Sequence, residues 1–322
     1  MGMRLQSGLD ARQLMQMLGR ALHGEEQQWK PLLLSADGPE ISAVQRDDVA
    51  VWLFRLNNKF HFMPETGALA ISLLDRFLRH VKVRPRYLQC VAVSCLYIAA
   101  KTLEEDEIVP ITVELVRGSQ CGCSVAEVLR MEAVILNKLS WDIRAVTAID
   151  FLHVLHALLM WHTPHLLDAL SNMTPSDHLA LLTRKLFTCL CNHEVQRIRP
   201  ATVVLSLLSL ELEQILPSWL PTIAVLQSMT KVKNEDLIRC REMIAGHLVR
   251  RRQLMTGYSF KECQQLSKKR KVEQTDTDEI YDSIKRLYNE EEKSAAWASC
   301  GSVVHQDSDI EMCAPALTVC AN

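Results

Sequence analysis

The sequence predicts an all-α protein made of two tandem five-helix units, with a single helix ahead of them and a tail behind that forms no core. Three observations predict it. Up to about Arg252 the apolar residues recur at helical spacing; two nearly continuous apolar runs, Val91–Ala100 and Ala201–Ile215, each lie downstream of an Arg-Pro pair (Arg84-Pro85 and Arg199-Pro200); and beyond Arg252 the composition changes. A helix that is apolar all round has to be surrounded by other helices. Each run therefore reads as the buried third helix of its unit, and the two units read as an internal repeat.

In chain order, Leu14, Leu18 and Leu22 recur at every fourth position between Leu9 and Lys30, with Met15, Met17, Ala21 and Trp29 widening the stripe. This is one amphipathic helix, expected to pack on the unit that follows it. Pro31–Glu40, with Gly38 and Pro39, is a connection, and residues 1–41 form the N-terminal helix and linker. The first unit, residues 42–144, opens with Ser42 and Gln45 as a capping box for a helix reaching about His61. Pro64 and Glu65 start the next, whose stripe is Leu74, Phe77, Leu78 and Val81. Pro85 opens the central helix. A short helix from Pro110 is expected to stop at Gly118, taken as its left-handed terminal residue, and Ser124 with Glu127 caps the fifth, which runs to about Leu139. In the second unit, residues 145–252, helices are expected to open at Thr147, Ser176, Pro200, Pro217 and Asn234.

The tail, residues 253–322, carries the basic run Lys268, Lys269, Arg270, Lys271. From Glu273 to Glu311 acidic residues outnumber basic ones and apolar residues are few. Such a composition predicts disorder. Within it, Ile280, Tyr281, Ile284, Leu287 and Tyr288 share one helical face, a segment suited to folding on a partner or on the body of the protein.

Composition narrows the function. A net charge of -2 over 322 residues argues against a general nucleic-acid binder. No apolar run reaches the roughly 18–20 residues of a membrane span, and MGMRLQSGLD has no apolar signal core. A cytosolic or nuclear location is expected, without membrane or nucleic-acid partners. Eleven cysteines then read as reduced thiols. Cys121 with Cys123, and Cys189 with Cys191, lack the spacing of a structural zinc site. His153 and His156 lie three apart, as do His162 and His165, yet there is no H-E-x-x-H and no carboxylate within that stretch, so packed or capping histidines are the reading. Phosphate-loop, dinucleotide and nucleophile-elbow motifs are all missing from the sequence. No catalytic residue, metal or cofactor is expected.

Two pairs of charges interrupt apolar patterns. Arg46 and Asp75 are natural partners across two packed helices, because a core-facing charge is costly unless paired. Lys101 ends the buried helix, and Glu132 emerges between Val128, Leu129, Ile135 and Leu136. These two either pair with each other or face a partner protein, since isolated charges ringed by apolar surface suit an interface core.

The series RDDVAVWL, ETGALAISLLDRFL, CVAVSCLYIAAKTLEED and VLRMEAVILNKLSWDI resembles the cyclin box in order and spacing, with a second cyclin fold following, over roughly Ser42 to Arg250. The resemblance implies two tandem cyclin folds and a regulatory subunit that binds and activates a cyclin-dependent serine/threonine kinase in a heterodimer, in cell-cycle control or related regulation. It implies that Lys101 and Glu132 contact the kinase near its C-helix, and that Arg46 and Asp75 are the internal pair. Val49 and Trp52 match the family's substrate-docking groove, but Gln45 and Asp48 replace apolar residues there, and a charged Asp48 spoils an apolar pocket. Docking of the Arg-x-Leu type is therefore not expected. The run Lys268–Lys271 resembles a nuclear import signal, which implies nucleus and cytoplasm. A cyclin-fold transcription adaptor and a cyclin that scaffolds its kinase without strong activation are the alternatives.

Overall fold

The computed structural model describes residues 10–32, 41–168 and 173–257, with side chains as far as Arg250. The basic run at Lys268–Lys271 and the helical face from Ile280 to Tyr288 lie outside these residues. Among the described residues all regular structure is helical. Helix α1 (Ala11–Gln28) precedes a first unit of α2 (Ala43–Lys59), α3 (Pro64–His80), α4 (Leu88–Leu103), α5 (Thr112–Ser119) and α6 (Val125–Lys138). The second unit is α7 (Ala148–His162), α8 (Pro175–Leu190), α9 (Pro200–Ile215), α10 (Leu220–Thr230) and α11 (Asn234–Gly257).

Helix α4 is the core of the first unit: every residue from Cys90 to Ala100 is buried, against α2, α3 and α6. Helix α9 does the same in the second unit, buried from Ala201 to Ser209 against α7 and α11. Small residues allow close helix approach, but their polar atoms still need partners. Ser94 Oγ donates to the Val128 carbonyl of α6 (3.1 Å), and Ser206 Oγ to the Leu237 carbonyl of α11 (3.5 Å).

Both capping boxes expected in the first unit form. Ser42 Oγ accepts from Gln45 N (3.3 Å) and Ser124 Oγ from Glu127 N (3.2 Å). Four starts or stops differ from expectation. Pro85 opens a 3-10 turn (Pro85–Tyr87), and the α-helix begins only at Leu88. Helix α8 is capped by Thr174 with Asp177 rather than opening at Ser176. Helix α10 begins at Leu220 after a turn at Pro217 and Ser218.

The fourth difference has a steric cause. Gly118 does not stop α5; Gln120 does, with a left-handed backbone (φ 54°). Gly118 lies inside the helix because Phe60 packs on it, and a Cβ there would sit 2.6 Å from the Phe60 Cζ.

Helix α1 also departs from expectation. Its buried stripe is Leu14, Leu18, Ala21 and Glu25, and its main partner is α7 of the second unit rather than the unit that follows it in sequence. Polar contacts explain the placement. Gln28 Nε2 donates to the Arg144 carbonyl (3.1 Å), and buried Glu25 Oε1 accepts from Ala201 N (2.8 Å) at the start of α9. The first N–H groups of a helix have no partner within it. Pro200 brings no N–H to α9, so Glu25, arriving from 176 residues away, caps the next one.

Candidate functional site

The last turn of α4 and the middle of α6 meet at Lys101 and Glu132, which form an ion pair with each other. Of the two arrangements left open by the sequence, the structure shows the paired one, without hiding it. The Lys101 side chain is 40 % exposed and that of Glu132 is 11 % exposed. Lys101 Nζ also stands 4.3 Å from the centre of the Tyr97 ring, which favours the cation at that spot.

Exposed apolar residues lie on the same two helices and just beyond them. On α6, exposed Leu129 lies one turn before Glu132, and Leu136 lies one turn after it at the edge of the core. Leu103 is exposed two residues beyond Lys101. Trp141 is exposed by 66 %, just past the end of α6. Its backbone, like that of Ser140, is left-handed (φ 59° and 52°), and its N–H donates to the Leu136 carbonyl (2.9 Å). The next residue, Asp142, accepts from Arg76 Nη2 of α3 (2.8 Å). The indole is therefore presented on a backbone held from both sides.

The end of α4 is braced in the same way. Buried Glu104 accepts from Met63 N (2.7 Å) and Thr66 Oγ1 (2.5 Å), supplying from α4 the cap that the start of α3 lacks in its own sequence. Tyr97 and Thr112 share a hydroxyl hydrogen bond (3.0 Å) that ties α4 to the start of α5. Sequence reasoning missed Glu104, Trp141 and Asp142. Only Trp141 carried a signal, as a large aromatic immediately after a helix end.

A second ionic centre is fully internal. Arg46 has no exposed surface, and its Nε and Nη2 donate to the two oxygens of Asp75 (2.9 and 2.6 Å). Its Nη1 donates to the Leu190 carbonyl of α8 (3.1 Å) and to Asp47 Oδ1 (3.3 Å), and Asp47 Oδ2 lies 2.8 Å from His193 Nδ1. One arginine thus joins α2 to α3 within the first unit and to α8 of the second. Burial works against the guanidinium's charge, but the adjoining Asp75 outweighs it and leaves the Arg46 pKa raised.

The other sequence candidates are dispersed. Val49 is buried and Trp52 half-buried, whereas Gln45 and Asp48 are exposed. The four histidines go to different places. His153 faces Glu65 (3.4 Å), His156 shares a buried hydrogen bond with His178 (3.0 Å), His162 lies edge-on to Trp161, and His165 meets Asp168 (2.9 Å). Burial, with His178 and His153 nearby, pushes the His156 pKa down to about 4. Among the described residues no three His, Cys, Asp or Glu side chains are placed to hold a metal ion, and no helix is long and apolar enough to cross a membrane.

Comparison with known proteins places the fold. Residues 20–144 match the cyclin N-terminal domain. Cyclin-I2 of Homo sapiens is 35 % identical over 247 residues, 76 % of this chain and 65 % of that protein, so the chain spans somewhat less than two thirds of its length. Cyclin-G1 of Pongo abelii is 33 % identical over 228 residues, 70 % of this chain and 73 % of that protein. The stretches RMEAVILNKLSWDI and DFLHVLHA and, above all, the tail segment KKRKVEQTDTDEIYDSIKRLYNEEE resemble the I branch, in agreement with the first of these. A viral cyclin from herpesvirus saimiri superposes with a TM-score of 0.57 at 20 % identity, covering 72 % of this chain and 97 % of that one, and shows the fold.

Proposed function

This chain belongs to the cyclin family, and from that premise we propose that it binds a cyclin-dependent serine/threonine kinase through Lys101 and Glu132 and activates it. The observation that carries the reading is an ion pair whose lysine is open to solvent, with exposed Leu103 and Leu129 on the same two helices and exposed Trp141 just past the end of α6. Apolar surface with an aromatic anchor and a few central charges is the make-up of an interface core.

The mechanism is a shift of populations. A kinase whose C-helix glutamate is swung outward cannot hold its ATP-positioning lysine. A rigid partner that binds only the inward state draws the kinase toward it, by as much as the two affinities differ. The braces at Glu104, Tyr97 and Asp142 serve this end, because a pliable surface would bind both states.

The internal pairing makes a clean test available. In the double variant Lys101→Glu, Glu132→Lys the two side chains still pair, so stability is expected to stay within about 1 kcal/mol of wild type. The charges offered to a kinase are reversed. Loss of kinase co-purification with an unchanged unfolding midpoint supports the assignment, and undiminished capture overturns it. The activity of the wild-type complex on a model substrate separates activation from scaffolding. For location we propose nucleus and cytoplasm, resting on Lys268–Lys271; replacing the four by alanine is expected to move a fluorescent fusion out of the nucleus.

A further inference from the structure

A cavity of about 80 Å³ lies where α1, α3, the α6–α7 connection and the start of α9 converge. Its size corresponds to several water molecules rather than one. Two of its lining residues are Arg76 and Arg79, one turn apart on α3. Each has a buried N–H without an acceptor among the described residues: Nη1 of Arg76 and Nε of Arg79. Buried guanidinium donors are ordinarily matched by acceptors, and a charged donor left without one is costly.

The carboxylates nearby are already engaged. Both oxygens of Asp75 receive Arg46, and Asp142 receives the other end of Arg76. Glu25 Oε1 receives Ala201 N, and burial raises the Glu25 pKa. Among the described residues Arg79 has the Lys30 carbonyl, on Nη1 (2.5 Å). Burial pulls the Arg79 pKa down, Arg76 adds to that, and Asp75 only partly offsets them.

We propose that this cavity binds a tetrahedral oxyanion of the phosphate class between Arg76 and Arg79. Two guanidinium forks can offer parallel N–H groups to several oxygens at once, a match that a small spherical anion does not make. The volume suits a central atom with four oxygens. The phosphate group can come from the free ion or from the end of a phosphorylated side chain, and the chemistry of recognition is the same. The site is separate from the proposed kinase surface, though Arg76 touches both: one amino group serves the cavity and the other steadies Asp142 beside Trp141.

The test is calorimetric titration of the full chain, at constant ionic strength set with chloride, with inorganic phosphate and separately with O-phosphoserine. Saturable binding of either supports the site. Phosphate alone marks a free-ion site, phosphoserine alone marks a side-chain source, and both together mark a mouth open enough for either. Arg79→Gln is expected to weaken binding about tenfold or more, while Arg117→Gln, on the exposed face of α5, leaves it unchanged. No saturable heat with either ligand overturns the proposal, and this holds on wild-type protein alone if Arg79→Gln does not fold. Equal binding by wild type and a folded Arg79→Gln overturns it too.

Discussion

Replacing Arg46 by Met removes a fully buried side chain that is ion-paired inside the first cyclin fold and bonded to the second. The magnitude follows from what is left behind. Asp75 remains buried, at 6 % exposure, with both its hydrogen-bond donors from Arg46 gone. Removing one member of a buried pair typically costs about 3–5 kcal/mol. Two local facts favour the lower part of that range. Leu190's carbonyl still accepts from Gln196 Nε2 (3.0 Å), so no backbone oxygen is orphaned, and Asp75 retains the attraction of Arg79. An expected loss of about 3 kcal/mol, with a urea m-value of about 3 kcal/mol per molar, lowers the unfolding midpoint by about 1 M. Helical circular dichroism and tryptophan fluorescence followed through the same titration read it. The double variant Arg46→Met, Asp75→Leu leaves no uncompensated charge and is expected to recover most of the loss. A drop below about 1 kcal/mol for the single variant, or a double variant costing as much as the two singles summed, would refute the argument.

Three further outcomes follow from particular contacts. Trp141→Ala should leave the unfolding midpoint almost unchanged, because the indole is mostly exposed, and weaken kinase binding at least about tenfold by surface plasmon resonance. Gly118→Ala forces a Cβ against the Phe60 ring and should destabilise by about 1–3 kcal/mol in chemical unfolding; the added change Phe60→Leu should return part of it. The folded pKa of His156, about 4, lies below the ordinary histidine value near 6.5, so the stability its neutral ring brings is complete above about pH 6.5 and is lost as pH falls toward 4. Stability measured between pH 7 and 4 should therefore fall less steeply in His156→Phe than in wild type.

What could be read from sequence was whatever is settled within a helix or by a strong local cost. Ser42 with Gln45 and Ser124 with Glu127 are complete signals over four residues, and both boxes form. Val91–Ala100 announces burial by having no polar face. Arg46 and Asp75 point to one another because neither is affordable alone in an apolar stripe. The remainder depends on which helix faces give against each other. Gly118 looked like a stop because glycine serves both as a left-handed cap and as a gap for a ring, and only the position of Phe60 distinguishes the two. Glu25 and Glu104 carry no local signal of their role, yet each caps a helix remote in sequence. The pairing of Lys101 with Glu132 was one of two open readings, because its outcome rests on the packing of α4 against α6.

The cap that Glu25 places on α9 sets an order of events during synthesis. The chain emerges from the ribosome at about 5–20 residues per second, so Ala201 follows Glu25 by roughly 10 to 30 seconds. Within that interval all the helices of the first cyclin fold, α2 to α6, are made, and then α7, the main partner of α1, before the residue that Glu25 caps. The N-terminal helix, first to be made, is among the last to dock, and its arrival closes the second fold rather than opening the first.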